Sequence, residues 1–217
     1  MKYEAVIYDM DGLLIDSIVH WINFDNIFFA ERGVKLTPDV VRHINGRSMK
    51  EGTEWLKEKF GWSESVEEIL IGRENNTKEI YDVLSQPMPG ANELIQKVAQ
   101  TKLKQAIASS AGISRVETIV NRFGWGDNIS ELVGADHVNF KSKSAPGIYL
   151  HTAEKIKAQP DKCVVFEDTE VGLLSAKAAG MKCVAVLDDR WSVGDYSSAD
   201  LITNSLLDEK IIDFLNI

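Results

Sequence analysis

The sequence predicts an α/β protein with a doubly wound, mostly parallel sheet and an inserted block of helices. Two observations predict this fold class. Short apolar runs alternate with amphipathic helical segments along most of the chain, and residues 16–87 keep a helical pattern with no convincing strand. We therefore expect a core domain made of residues 1–15 and 88–217, and a small helical cap domain made of residues 16–87.

Six apolar runs are expected to form the sheet. In chain order they are residues 5–8, 104–108, 132–133, 163–166, 183–187 and 201–202. Between and after them, helical periodicity predicts helices at residues 91–101, 113–123, 145–157 and 171–179, and from residue 207 onward. This alternation is typical of a Rossmann-like parallel sheet with helices on both faces.

The inserted segment has recognisable helix starts. Asp16 or Ser17 can cap the first helix, and Ser48 and Ser65 stand before later ones, Ser65 in a capping-box sequence. The proline-rich stretch 86–90 then breaks the helical pattern and returns the chain to the core.

The first apolar run ends in two carboxylates, Asp9 and Asp11, followed by Gly12. A buried strand would deliver both acids at its carboxyl end, which is where open parallel sheets bind their ligands. Two such acids can share a divalent cation or push each other's pKa values apart. In isolation, the same residues could simply cap a turn.

Three other polar signals stand at the ends of strands or before a helix. Ser109 follows the second run, where its hydroxyl could donate to a phosphate oxygen or cap the next helix. Lys143 precedes a helix and would, on its own, be taken for a solvated loop lysine. Glu167 and Asp168 place adjacent carboxylates after the fourth run, where they could also form only a turn.

Composition restricts the partners of the chain. Lys+Arg 24 against Asp+Glu 33 gives a net charge of −9, so nucleic acid or an acidic membrane held by bulk charge is not expected. Cys163 and Cys183 lie in apolar runs and should be reduced, core-filling thiols. No apolar run approaches the roughly 18 residues of a spanning helix, and no signal-like segment is present. We expect a cytoplasmic monomer that binds no membrane.

The stretch from Asp9 to Ser17, which reads DMDGLLIDS, resembles the first signature of the haloacid dehalogenase-like superfamily. The similar branch includes β-phosphoglucomutase and many sugar-phosphate phosphatases. The later signals match the remaining signatures in order: a Ser or Thr after the second strand, a Lys before a helix, and an acidic pair after the fourth strand. The resemblance covers essentially the whole chain, including the helical insert.

This resemblance implies a Mg2+-dependent phosphatase that acts on a small-molecule phosphate ester, such as a sugar phosphate. Asp9 would be the nucleophile that forms an aspartyl-phosphate, and Asp11 would protonate the leaving oxygen and then activate water. Ser109 and Lys143 would hold the transferring phosphoryl group. The implied Mg2+ ligands are Asp9, the backbone carbonyl of Asp11, and Asp168, with Glu167 nearby in the coordination shell.

Substrate contacts are expected from Ser109, Ser110, Lys143, Trp21 and Arg47. Two segments depart from the family pattern. Ser144 and Gly147 replace a proline and an acid of the usual lysine segment. The cap loop has Arg47 one position before the serine, whereas β-phosphoglucomutase has its arginine after the serine.

Alternative functions remain. A mutase of the same fold is the main one, but Trp21 stands where β-phosphoglucomutase has a histidine, and an indole N–H can only donate a hydrogen bond. A dehalogenase would need neither the Asp11 acid nor the metal carboxylates. A non-enzymatic phospho-acceptor signalling domain would be shorter and would lack the helical insert.

Overall fold

The structure, a computed structural model, describes residues 2–44, 47–139 and 145–217, with residues 74–76 described by their backbone alone. Six parallel strands form one sheet in the order β3-β2-β1-β4-β5-β6. The strands are β1 Ala5–Tyr8, β2 Lys104–Ala108, β3 Glu131–Val133, β4 Cys163–Glu167, β5 Lys182–Val186 and β6 Leu201–Thr203. The predicted fold class is confirmed.

Strand β1 lies at the centre of the sheet, between β2 and β4. The chain builds outward from β1 in one direction through β2 and β3, and in the other through β4, β5 and β6, so the carboxyl end of β1 is the switch point where such sheets bind ligands. Tyr8 is in register with Ile107 and Phe166. The residues that follow these three therefore emerge at one level of the sheet edge.

In the described part of the chain, five helices cover the two faces of the sheet. They are α5 Ala91–Ala99, α6 Ile113–Phe123, α7 Gly147–Lys155, α8 Glu170–Ala178 and α9 Glu209–Leu215. Alternate strand residues face opposite sides: Val6 and Tyr8 pack in the apolar cluster that contains residues of α5, α6 and α9, whereas Ala5 and Ile7 pack in the cluster that contains residues of α7 and α8. Both faces of β1 are buried, which explains its unbroken apolar run.

The helix predicted at 145–157 is shorter in the structure, where α7 spans Gly147–Lys155. Its end has a local cause, since Lys157 has a φ of 52°, a left-handed conformation that a right-handed helix cannot contain.

Among the described residues, no helix combines the length and the apolarity needed to cross a bilayer. The cellular location and the monomeric state stay predictions.

The insert contains α1 Ser17–Glu31, α2 Pro38–Ile44, α3 Met49–Phe60, α4 Val66–Glu79 and a π-helical turn, Ile80–Leu84. Its helices share a third apolar cluster, which includes Phe28, Phe29 and Leu56. The capping boxes at Ser48 and Ser65 are both formed. The helical content of the insert was predicted, but the π-helical turn was not, and the division into two domains stays a prediction.

The two chain segments that join the insert to the sheet lie side by side. The backbone N–H of Asp16 donates to the carbonyl of Gln86 at 3.0 Å, and the N–H of Gln86 donates to Oδ1 of Asp16 at 2.6 Å. An isolated bridge also pairs Ile15 with Pro87. The Asp16 side chain therefore links the two segments and makes no cap bond to α1.

Candidate active site

Asp9 is the first residue after β1 and lies at the switch point of the sheet. It is 3% exposed, and its backbone N–H donates to the carbonyl of Phe166 at 3.0 Å. The chain then turns at Gly12, which has a φ of 84°. A Cβ at this position would lie 2.3 Å from Oδ2 of Asp168, so glycine is required both by the turn and by the close approach of this acid.

Three buried carboxylates meet beside this turn. Asp9, Glu167 and Asp168 each offer an oxygen, and these oxygens lie within 4.8 Å of one another. Three carboxylates held this close out of water repel one another, unless a cation or bound protons compensate their charge. An all-oxygen, anionic donor set is the kind that Mg2+ or Ca2+ prefers, so the residues present fit a hard divalent cation.

Glu167 is fixed by several donors. The Tyr149 hydroxyl donates to Oε1, and Oε2 accepts the N–H of Asp168 at 3.2 Å, the N–H of Thr169 at 3.1 Å and the Thr169 hydroxyl at 2.9 Å. A Cβ on Gly172 would lie 1.9 Å from Oε1. The start of α8 is therefore shaped around this carboxylate.

The backbone of Asp168 is held by residues of the loop after β5. Its carbonyl accepts the Tyr196 hydroxyl at 2.9 Å and the Ser192 hydroxyl at 3.2 Å. Burial raises the pKa of Tyr196, and the charge of Asp168 raises it further, so this phenol stays a neutral donor. No sequence motif marks either of these two loop residues, so neither was predicted.

Asp11 has different surroundings. Among the described residues it is not part of the three-carboxylate cluster. The Ser17 hydroxyl donates to its Oδ1 at 2.6 Å, and the Ser109 hydroxyl donates to its Oδ2 at 3.3 Å. Its side chain is therefore held between two hydroxyls.

Tyr81, from the π-helical turn, stands close to Asp11. Burial raises the pKa of Tyr81 well above its usual value, and the negative charge of Asp11 contributes. The indole N–H of Trp21 donates to the Tyr81 hydroxyl at 3.3 Å. The insert thus reaches the neighbourhood of Asp11 through a tyrosine that the sequence analysis did not single out.

Ser109 is fully buried at the end of β2. Its N–H donates to the carbonyl of Val133 at 3.0 Å, and its hydroxyl accepts the N–H of Ala111 at 3.0 Å. It therefore shapes the turn before α6 as well as contacting Asp11. Lys143, predicted to hold the phosphoryl group, lies outside the described residues.

A cavity of about 780 Å³ opens between the sheet edge and the insert. Asp9, Asp11 and Ser110 line it from the core side, and Trp21 and Arg47 line it from the insert. The structure thus brings together all of the predicted substrate residues that it describes, except the buried Ser109, around one space.

The insert side of the cavity carries two further polar features. The Nε of Arg47 donates to the carbonyl of His43 at 2.6 Å, which ties the side chain to the end of α2. Asp25 and Arg73 form an ion pair at 2.8 Å, with side-chain exposures of 11% and 6%. Both members of the pair line the cavity.

Comparison with known proteins agrees with this geometry. The family model described as haloacid dehalogenase-like hydrolase matches residues 6–186. The phosphorylated carbohydrates phosphatase of Thermotoga maritima is 30% identical over 179 residues, which cover 82% of this chain and 82% of that protein. The bifunctional riboflavin kinase/FMN phosphatase of Arabidopsis thaliana is 30% identical over 215 residues, which cover 96% of this chain but only 55% of that longer protein.

Solved structures show the same fold. CbbY from Rhodobacter sphaeroides, determined in complex with phosphate, has a TM-score of 0.78 at 21% identity, covering 95% of this chain and 96% of that one. The family model and the named phosphatases confirm the predicted class of enzyme, a phosphoric monoester hydrolase. The chain therefore belongs to the haloacid dehalogenase-like hydrolases, in the branch that contains phosphatases of phosphorylated metabolites.

Proposed function

We propose that the protein is a Mg2+-dependent phosphatase that hydrolyses a small sugar phosphate or similar metabolite through an aspartyl-phosphate. The observation that carries this proposal is the buried cluster of Asp9, Glu167 and Asp168, placed at the switch point of the sheet beside the cavity. The phosphatase of phosphorylated carbohydrates among the relatives supports the substrate class.

Asp9 and Asp168 would hold Mg2+ together with the backbone carbonyl of Asp11, and Glu167 would complete the acidic surroundings. When bound, the ion supplies positive charge that reduces the repulsion between an anionic nucleophile and an anionic phosphate. Ser109, and Lys143 as the resemblance implies, would add hydrogen bonds and charge to the phosphoryl oxygens. These ligand and phosphate-binding roles are parts of the proposal.

In the first step, a carboxylate oxygen of Asp9 attacks phosphorus, and the bond from phosphorus to the leaving oxygen breaks. Asp11 donates its proton to that oxygen, so the alcohol leaves neutral. In the second step, Asp11 takes a proton from water and the water oxygen attacks phosphorus. The bond from phosphorus to the Asp9 oxygen breaks, so inorganic phosphate leaves and the Asp9 carboxylate is restored. The Ser17 hydroxyl would hold the Asp11 side chain in place for both transfers. The Ser109 hydroxyl has a single proton, so it would turn from Asp11 to a phosphoryl oxygen when substrate binds.

Residues 16–87 would act as a cap that closes over the substrate and excludes water. Trp21, Arg47 and Ser110 line the cavity and would contact the part of the substrate that becomes the leaving alcohol. The hinge would lie at the two chain segments, around Asp16 and Gln86, that run side by side between the core and the insert.

The residue at position 21 favours phosphatase activity over phosphosugar mutase activity. A mutase must protect its aspartyl-phosphate from water, and the indole of Trp21 has no ionisable proton with which to control Asp11. The Trp21 N–H is instead directed to the Tyr81 hydroxyl.

The test is a screen of phosphorylated metabolites with released phosphate as the readout, in Mg2+ and in excess chelator. We expect hydrolysis of one or more monoesters that the chelator silences. Full activity in chelator would contradict the metal-dependent mechanism. Rapid conversion of β-glucose 1-phosphate to glucose 6-phosphate in the presence of a bisphosphate primer, with free phosphate appearing only slowly, would instead identify a mutase.

A further inference from the structure

We propose that Tyr149 is a positioning residue of the metal site, whose hydroxyl holds the Glu167 carboxylate in the orientation that Mg2+ binding requires. This inference rests on the metal site proposed above. It assigns a role to a side chain of α7, which no signature of the sequence marked.

The two oxygens of Glu167 are held by donors from different parts of the chain. Oε2 accepts two backbone N–H groups and the Thr169 hydroxyl, all from residues next to Glu167 in the chain. Oε1 accepts the Tyr149 hydroxyl, which comes from a helix 18 residues earlier. The local bonds fix one oxygen, and the bond from Tyr149 fixes the rotation of the carboxylate about that oxygen.

The Tyr149 hydroxyl is the donor in this bond. Tyr149 is fully buried, and its O–H donates to Oε1 of Glu167, because an ionised carboxylate can only accept hydrogen bonds. A donor of this kind stabilises the charged carboxylate that a cation needs.

The ring and the hydroxyl of Tyr149 have different surroundings, so their contributions can be tested separately. The ring packs in the apolar cluster of the α7 and α8 face, which also contains Ile148 and Leu173. Phenylalanine would keep that packing and remove only the oxygen. If Tyr149 were merely a core aromatic residue, this change would leave the metal site unaltered.

The experiment is calorimetric titration of Mg2+ alone into the full chain and its variants. Tyr149→Phe is expected to weaken Mg2+ binding by about 10- to 100-fold, as is typical when a partner of a metal-binding group is lost. The matched control is Tyr8→Phe, because Tyr8 is also fully buried and donates one hydrogen bond, to Gln105 at 2.8 Å, on the opposite face of the sheet. This control should bind Mg2+ like the wild type.

A Tyr149→Phe protein that binds Mg2+ as tightly as the wild type would overturn the inference, and so would an equal loss in Tyr8→Phe. If Tyr149→Phe fails to fold, Thr169→Val and Thr169→Ser take its place. The valine variant loses one donor to Oε2 and should weaken Mg2+ binding, whereas the serine variant keeps the hydroxyl and should not. An unchanged affinity in Thr169→Val would then reject the role of the donors around Glu167.

The failure of the underlying metal site is distinguishable from these outcomes. If the wild type binds no Mg2+, or if Asp168→Asn binds it equally well, then the proposed metal site is wrong and the role of Tyr149 is rejected with it. If the wild type binds Mg2+, Asp168→Asn does not, and Tyr149→Phe is unchanged, only the inference about Tyr149 fails.

Discussion

The sheet edge and the helical insert face the same cavity, but they are built differently. At the edge, Asp9, Glu167 and Asp168 are at most 3% exposed, and backbone groups and buried hydroxyls hold them. On the insert, Trp21 and Arg47 are partly exposed, and each donates a side-chain hydrogen bond to another residue of the insert. The edge is suited to one fixed reaction geometry, and the insert to a surface that can vary with the substrate.

The largest expected effect comes from the nucleophile at the edge. Asp9→Asn should abolish turnover, because an amide cannot form the aspartyl-phosphate. The protein should remain folded by circular dichroism. Asp39→Asn is the control on the insert, since Asp39 is an exposed residue of α2 paired with Lys59 at 3.2 Å, and it should keep full activity. Phosphate release by Asp9→Asn at the wild-type rate would exclude the mechanism.

The next effect concerns Ser109. Ser109→Ala should lower kcat by about 10²- to 10³-fold if its hydroxyl is one preorganised donor among several. The exposed Ser197 offers a control, and Ser197→Ala should not change kcat. Steady-state kinetics on the best substrate checks both variants. An unchanged kcat in Ser109→Ala would show that this hydroxyl does not act in catalysis and serves only to shape the turn before α6.

Two helical glycines, one beside the sheet edge and one in the insert, allow the packing of these two regions to be compared. Gly172 lies in α8 against Glu167, whereas at Gly72 in α4 an added Cβ meets no atom within 4 Å. Gly172→Ala should destabilise the fold by about 1–3 kcal/mol through overpacking, and Gly72→Ala should stabilise it by roughly 0.5–1 kcal/mol through helix propensity. Urea unfolding measures both. Equal changes in the free energy of unfolding for the two variants would contradict the difference in packing between the sheet edge and the insert.

The smallest effects come from two partly or fully buried acids with opposite pKa shifts. In the insert, burial raises the pKa of Asp25 above 3.8, and the nearby charge of Arg73 only partly opposes this. In the core, the pKa of Asp200 lies below 3.8, because hydrogen bonds from Lys177 and Lys182 outweigh the effect of burial. The native state therefore binds the Asp25 proton more tightly than the unfolded state, and the Asp200 proton less tightly.

The stability contributed by Asp25 should consequently fall as pH rises from 3.8 toward its folded pKa, and that of Asp200 should fall as pH drops below 3.8. Asp200→Asn should lower the free energy of unfolding by about 0.5–1 kcal/mol near neutral pH. Urea unfolding at several pH values checks the signs. Asp25→Asn should remove the fall in stability as pH rises above 3.8, and Asp200→Asn should remove the fall as pH drops below 3.8. If the two variants change the pH dependence in the same direction, the assignment is wrong.

Much of the fold was predictable because its signals are local. The strands β1 and β4, the helix starts at Ser48 and Ser65, and the capping box at Ser65 all form where the sequence places them. The meeting of Asp9, Glu167 and Asp168 was predictable, because parallel register brings the residues at the carboxyl ends of neighbouring strands to one edge. Their role in metal binding stays a prediction.

The rest of the site depends on contacts between distant parts of the chain. Tyr149, Ser192 and Tyr196 reach the acidic residues from a helix and from a loop, and no spacing rule gives the direction of such side chains. Asp11 shows the same limit at short range. It lies two residues from Asp9, yet the turn at Gly12 and the hydroxyls of Ser17 and Ser109 place its carboxylate in a separate setting.

The pairing of Asp16 with Gln86, 70 positions further along the chain, has a consequence for how this architecture can diversify. The insert leaves the core and returns to it at neighbouring points, so to the sheet it is a loop whose ends are already joined. Doubling the length of such a loop adds only about 0.6 kcal/mol to the entropy cost of closing it. Gene segments of quite different size can therefore be exchanged at this point while the sheet and its acidic edge still fold.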